Sequence, residues 1–360
     1  MKQYRVAVVG ATGMVGQRFL SLLDGHPWFE TVAVAASPRS AGQPYGQAVA
    51  GRWVMDKLIP EDVLGMTVLD ASNIKAISDQ VDFVFCAVDM PKDEIKALEE
   101  AFAKAETPVI SNNSANRNVL DVPMLIPEVN PEHAQVIIQQ RERLGTKRGF
   151  IAAKPNCSIQ SYVPALHPLK KFGVKEVTVC TYQAVSGAGK TLQNWPEMND
   201  NVIPYIGGEE EKSEQEPLKI WGTLGEDGIK PANLPVISAQ CLRVPVSDGH
   251  MAAVSVRFNE KPTHAEILAA WRDFETVPQQ LGLPSAPKPF IKYYEENERP
   301  QTKIDRNEGR GMAVSVGRLR EDPLMDWRFV ALSHNTLRGA AGGAVLMAEL
   351  LCKEGWIEPK

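Results

Sequence analysis

A two-domain α/β fold is predicted by three observations. Apolar strands alternate with amphipathic helices through the first half, a glycine-rich loop follows the first strand, and longer strand-like runs take over after about residue 150. The first half therefore reads as a doubly wound, Rossmann-type domain, and the second as an α+β domain with a largely antiparallel sheet. Expected boundaries are 1–155, completed by a C-terminal helix at 336–360, and 156–335 for the second domain. A chain of 360 residues, 44% hydrophobic and 23% charged, has material for two such cores.

The elements follow from pattern. Residues 4–9 (YRVAVV) are a β-rich run, 14–23 carry helical apolar spacing, and 31–36 are apolar again. Residues 81–88 read as a strand, 92–104 as a charged amphipathic helix and 108–111 as a strand end, which completes a βαβ succession. Beyond residue 150, strands are expected at 174–184, 251–258, 312–320 and 327–333 with few crossover helices between them. The small-residue run TLRGAAGGAVLMAELL (336–351) is expected to be a helix returning to the first domain, where Ala and Gly permit close packing.

A net charge of −5 without any Lys/Arg-rich run argues against nucleic-acid and anionic-membrane partners and for a small-molecule ligand. Too few residues precede the first strand for a signal peptide, and no apolar run reaches the ~18 residues of a membrane span, so a cytoplasmic location is expected. The five cysteines (Cys86, Cys157, Cys180, Cys241, Cys352) are odd in number, scattered and free of CxxC spacing, which speaks against a disulfide framework or a metal site.

The loop Gly10-Ala-Thr12-Gly13-Met14-Val15-Gly16 lies where this fold places its phosphate cradle, although turn glycines without a ligand remain an alternative. The second strand ends without the Asp or Glu that would receive a ribose 2′-hydroxyl; Ser37, Arg39 and Ser40 follow instead. A guanidinium and two hydroxyls suit a 2′-phosphate, which favours NADP over NAD, against the alternative of a polar loop with an incidental arginine.

Cys157, in KPNCSIQ, stands between a strand and an expected helix through residue 166, flanked by Asn156 and Ser158. A thiol near a helix N-terminus is favoured as thiolate by the dipole and the free N–H groups. A catalytic cysteine needs a proton-transfer partner, and among the six histidines His250, in RVPVSDGH with Arg243, is the best placed.

Six segments in order, GATGMVG, SNNSANR, KPNCSIQ, YQAVSGAGK, GGEEEK and RVPVSDGH, resemble the aspartate-semialdehyde dehydrogenases, specifically their archaeal and fungal-like branch, over nearly the whole chain. That resemblance implies NADP-dependent interconversion of L-aspartyl-4-phosphate with L-aspartate 4-semialdehyde and phosphate, feeding lysine, threonine and methionine synthesis. It implies Cys157 as a nucleophile that leaves a thioester for reduction by NADPH. His250 is implied as the acid/base that takes the thiol proton or handles the proton on the hemithioacetal oxygen. Gln183 would orient substrate near the sulfur and Arg243 would clamp its α-carboxylate. Arg117, in the segment opened by Asn112, and Lys212 match the phosphate site, and Asn112 counts among the substrate contacts.

Glu209 matches the carboxylate facing the substrate ammonium, although Glu210 or Glu211 is not separated from it by alignment, and composition alone reads EEEK as a solvated face. Cofactor contacts are implied for Gly10, Thr12, Gly13, Met14, Val15, Ser37, Arg39, Ser40, Cys86, Ser114, Ser186, Gly187, Gly189 and Asn335. The Cys86 contact is through its backbone, with an inert thiol. A homodimer or homotetramer joined through the second sheet is also implied. Three alternatives stay open. Malonyl-CoA or succinyl-CoA reductases share the Cys, His and Arg, and N-acetylglutamyl-phosphate reductase shares the chemistry but has no use for Glu209. A nucleotide-binding paralogue without activity would be expected to lose Cys157 or His250.

Overall fold

A computed structural model describes residues 3–360 as two sheets with a small hairpin between them. The first sheet contains β1 (Tyr4–Val9), β2 (Phe29–Ala36), β3 (Leu69–Asp70), β4 (Phe83–Cys86), β5 (Val109–Ser111) and β6 (Ile151–Ala153), ordered β3-β2-β1-β4-β5-β6. Every pairing in it is parallel. β1, β4, β5 and β6 are buried on nearly every residue because helices cover both faces, so they read as continuous apolar runs. The strand order reverses between β1 and β4, and the glycine-rich loop leaves β1 at that switch point.

The second sheet holds β7 (Val174–Gln183), then, past the hairpin of β8 (Thr223–Gly225) and β9 (Gly228–Lys230), β10 (Val236–Arg243), β11 (His250–Phe258), β12 (Ile291–Tyr294), β13 (Val314–Glu321) and β14 (Trp327–Ser333). Its order is β10-β7-β11-β14-β13-β12. Here the expectation needs correction: the sheet is mixed. The pairs β7–β11, β11–β14 and β13–β14 are antiparallel, but β10–β7 and β12–β13 are parallel. The physical reason is a long crossover: the chain between β7 and β10 carries the helix Glu209–Ile220, which packs on β10 and returns the chain to the starting end.

The C-terminal segment also departs from one continuous helix. Leu337–Ala341 form a π turn broken at Ala340 (φ −139°, ψ −110°), and the regular helix runs Gly342–Lys353. It is buried from Gly342 through Cys352, as a helix apolar all round must be, and joins the core formed by β1, β4 and the helix Met14–Leu23. Its one carboxylate, Glu349, accepts hydrogen bonds from His26 Nε2 (3.0 Å) and from the Ser285 hydroxyl and N–H (2.5 and 3.0 Å), which links the two halves of the molecule. Among the described residues no helix is long and apolar enough to cross a membrane.

Candidate active site

Four strand ends meet at one edge of the second sheet. Gln183 closes β7 and Arg243 closes β10, and the parallel pairing sets them side by side in register. Antiparallel β11 opens there with His250, opposite Ser333 at the end of β14, which delivers His334 and Asn335. Cys157 reaches the same edge from the first sheet, four residues beyond the end of β6.

Asn156 fixes the backbone before the thiol. Its N–H donates to Glu216 Oε2 (2.6 Å), its Nδ2 to both oxygens of Glu209 (3.0 and 3.1 Å), and its Oδ1 accepts from the N–H and hydroxyl of Ser158 (2.7 and 2.6 Å). Against the other side of Cys157 lies Gly339, where a Cβ would stand 2.9 Å from the cysteine Cβ, so only glycine fits. The expected helix dipole is not provided. Ser158–Gln160 is one 3₁₀ turn, followed by a single helical turn at Val163–Leu166, and neither gathers a macrodipole. Burial, then the Glu209 charge, push the Cys157 thiol up to about 11, while Lys154, Arg117 and Arg243 draw it down. Burial thus favours the neutral thiol, and the three cations oppose it.

His250 is fully buried, and its Nδ1 accepts from the Ala184 N–H (3.1 Å). Arg243 Nη1 donates to the carbonyl of the same residue (2.7 Å), so Ala184 aligns both side chains. Burial and then the Arg243 charge lower the histidine to about 3, which keeps it neutral, and its buried Nε2 has no hydrogen-bond partner. Gly187 roofs the pair: a Cβ there would lie 2.8 Å from Arg243 Nη1 and 2.9 Å from His250 Nε2.

The helix Glu209–Ile220 settles which of the three glutamates faces inward. Glu209 is buried and meets Asn156, Lys212 Nζ (2.8 Å) and Gln183 Nε2 (3.3 Å), whereas Glu210 accepts from the Cys241 N–H and Glu211 is exposed. Burial opposes its charge, but Lys212, Asn156 and Gln183 hold the Glu209 carboxyl below the usual range. Arg117 pairs with Glu216 (2.9 Å) and donates to the Asn112 carbonyl (3.4 Å), which ties SNNSANR to the helix that carries Glu209.

At the nucleotide end, Gly10 (φ +88°) passes so close to β4 that a Cβ would sit 2.3 Å from the Ala87 carbonyl oxygen. Gly13 caps the helix Met14–Leu23 without a side chain, so the first-turn N–H groups at Met14 and Val15 face outward, as an anion requires. Thr12 is braced through its carbonyl by Gln17 Nε2 (3.1 Å). Ser37 and Arg39 are exposed just past β2, with Ser40 buried behind them. Cys86 ends β4, and its carbonyl accepts the Asn112 N–H (2.8 Å); burial and Glu99 push its thiol well up, which makes it inert. Ser114 lies half-buried in the loop after β5. Asn335 donates to the Ser186 hydroxyl (2.8 Å) and accepts from the Gly249 N–H (2.7 Å), tying the loop of Ser186, Gly187 and Gly189 to the strand end.

Lys154, Asn156 and Glu216 also border the thiol and are not singled out by the motifs above. Glu216 was discoverable, because Glu209, Lys212, Ser213 and Glu216 are spaced 0, 3, 4 and 7, one face of a helix. Lys154 gave no signal beyond lying three residues before Cys157.

A glycine-rich loop at the switch point of a parallel sheet, beside a cluster of Cys157, Arg243 and His250, is the arrangement of a nucleotide-dependent dehydrogenase, and family comparison gives the class. Residues 5–137 match the profile "Semialdehyde dehydrogenase, NAD binding domain", and residues 166–338 match "Semialdehyde dehydrogenase, dimerisation domain". The chain belongs to the semialdehyde dehydrogenase family. It is similar to the aspartate-semialdehyde dehydrogenase of Methanothermobacter thermautotrophicus, 46% identical over 349 residues (96% of this chain, 98% of that one). The enzyme of the same name from Saccharomyces cerevisiae is 42% identical over 359 residues, 96% of each chain. Among solved structures, aspartate semialdehyde dehydrogenase with NADP from Candida albicans superposes with a TM-score of 0.88 at 38% identity, covering 99% of this chain and 100% of that one.

Proposed function

We propose that the protein is an NADPH-dependent aspartate-semialdehyde dehydrogenase, which reductively dephosphorylates L-aspartyl-4-phosphate to L-aspartate 4-semialdehyde in the route to lysine, threonine and methionine. The observation that carries this reading is the convergence of Cys157, Gln183, Arg243 and His250 at one sheet edge, bordered by Glu209, Lys212 and Arg117. Residues 1–155 and 336–360 hold the dinucleotide, and 156–335 supply the thiol chemistry and the surface for a second copy. The working form is a homodimer or homotetramer in the cytoplasm.

Each side chain has a task that its chemistry allows. Cys157 attacks the acyl phosphate as thiolate, phosphate leaves, and the acyl group stays on sulfur as a thioester. Arg117 and Lys212 neutralise the departing phosphate, as fixed and mobile cations suit a dianion. Arg243 grips the α-carboxylate, Glu209 faces the ammonium, and Gln183 and Asn112 orient the acyl group. His250, neutral and with Nε2 open, acts at the carbonyl oxygen and donates there as negative charge develops. The dinucleotide, when bound, supplies hydride to the acyl carbon. Gly10, Thr12, Gly13, Met14 and Val15 seat its pyrophosphate, and Cys86, Ser114, Ser186, Gly187, Gly189 and Asn335 border its nicotinamide half.

Ser37, Arg39 and Ser40 receive the 2′-phosphate. Arg39→Ala is expected to raise the KM for NADPH by about 10- to 100-fold, the worth of a charge-assisted pair, with little change for NADH. Steady-state kinetics with both cofactors checks this, and equal losses would return Arg39 to the surface. Phosphate dependence separates the main reading from an acyl-CoA reductase. With L-aspartate 4-semialdehyde and NADP, NADPH is expected to accumulate when phosphate is supplied; accumulation only with CoA would move the protein to the acyl-CoA reductases.

A further inference from the structure

The helix Glu209–Ile220 grips the segment of Arg117 at two points. Glu216 takes the guanidinium through Oε1 (2.9 Å), and Lys219, one turn later, takes the main chain. The Lys219 ammonium donates to the carbonyls of Arg117 (2.7 Å), Val119 (2.6 Å) and Val122 (2.9 Å). All three of its N–H groups are thereby used, and the side chain is 5% exposed. A lysine in the last turn of a helix ordinarily answers that helix's own terminal carbonyls. Lys219 instead reaches a loop about a hundred residues earlier in the chain.

The near side of that loop is held from the first sheet's layer. Glu99, fully buried on the helix Lys92–Lys104, accepts from the Ser111 hydroxyl (2.5 Å), Asn113 Nδ2 (2.9 Å) and Asn116 Nδ2 (2.7 Å). Arg117 therefore sits where two buried charges meet, Glu99 bonding the side chain before it and Lys219 its own carbonyl.

We propose that Lys219 is a positioning residue of the phosphate site: its ammonium fixes the main chain at Arg117 to the helix that carries Lys212, so that the two cations meet one anion at a set spacing. This rests on Arg117 and Lys212 being the phosphate pair of the proposed reaction. Lys212 and Lys219 stand seven residues apart, two turns along one helix face, with Glu216 between them. Arg117 comes from the loop after β5. Two cations from separate elements match an anion only when their spacing is fixed, and a helix that carries one and is bonded to the other fixes it. Glu216 Oε2 also accepts the Asn156 N–H (2.6 Å), so the same helix face ties the phosphate site to the residue before Cys157. Burial draws the Lys219 ammonium down to about 8 while Asp121 and Glu216 hold it up, which leaves it predominantly charged at pH 7. With every donor committed to main chain, Lys219 acts through Arg117 and not on the anion.

The test separates the phosphate step from the hydride step. In the direction of semialdehyde oxidation, acylation of Cys157 forms NADPH before phosphate is needed, so the two can be read apart. For Lys219→Met, the KM for phosphate is expected to rise by about tenfold or more, the worth of one well-placed charge-assisted bond. The KM for NADP and the rate of the phosphate-free NADPH burst should stay within about twofold of the wild type. An unchanged KM for phosphate would overturn the proposal. So would equal losses in the phosphate KM, the NADP KM and the burst, which mark a residue that only holds the fold together. Should Lys219→Met fail to fold, Lys219→Gln, which keeps a donor but cannot serve three carbonyls, is judged by the same split. Failure of the proposed function would show separately, as a wild type that forms NADPH only with CoA or not at all.

Discussion

Cys157→Ala is expected to lower kcat by at least about four orders of magnitude while leaving NADPH affinity within about twofold of the wild type. The size of the loss follows from the route. Hydride reduces an acyl group held on sulfur, and without the sulfur no alternative nucleophile stands at the sheet edge: Ser158 is buried with its hydroxyl bonded to Asn156 Oδ1 (2.6 Å). The spared affinity follows from position, because Gly10–Val15 and Arg39 follow β1 and β2 of the first sheet, whereas the thiol enters after β6. The variant should also fold, since removing Sγ from a half-buried side chain leaves the Asn156–Glu209–Glu216 bonds in place. Stopped-flow kinetics and equilibrium titration of NADPH read the two quantities, and turnover within tenfold of the wild type would remove Cys157 from the nucleophile's role.

Arg243→Leu is expected to reduce kcat/KM by about 10²- to 10⁴-fold, mostly through KM. Arg243 is 5% exposed, spends one nitrogen on the Ala184 carbonyl, and lies beside His250 under Gly187. A carboxylate bound there is shielded from water, so losing its partner leaves a charge that costs several kcal/mol to bury. The substitution has a second effect, because Arg243 is the leading charge that lowers His250, so the histidine's own proton uptake should shift upward. NMR titration of the His250 ring would follow that shift. A KM and kcat unchanged from the wild type would exclude Arg243 as the carboxylate clamp.

The parts of this site that were legible in the sequence are those encoded locally. The glycines of the first loop, Cys157 between strand and turn, and Arg243 with His250 around a Pro/Gly turn are all contiguous motifs. Pairings made across long stretches of chain were not legible. β7 and β10 lie more than fifty residues apart, and whether they run parallel depends on the crossover helix between them, so the sheet was expected to be more antiparallel than it is. Yet that parallel pair is what sets Gln183 beside Arg243.

The electrostatics of the thiol were misjudged for the same reason. A helix start beside Cys157 predicts a lowered thiol, whereas burial and Glu209, brought in from more than fifty residues away, dominate. The break at Ala340 is equally hidden, since a run of Ala and Gly gives no sign that its first turn will leave the helical conformation.

The most direct measurement is a single-turnover experiment on the acyl-enzyme. Enzyme, NADP and L-aspartate 4-semialdehyde are mixed without phosphate, and NADPH formation is followed alongside the mass of the Cys157 peptide. A covalent thioester predicts a burst of one NADPH per active site, an acyl adduct on Cys157, and release of that adduct with renewed turnover once phosphate is added. Sustained turnover without phosphate at the phosphate-supported rate, with no adduct on Cys157, would contradict the account.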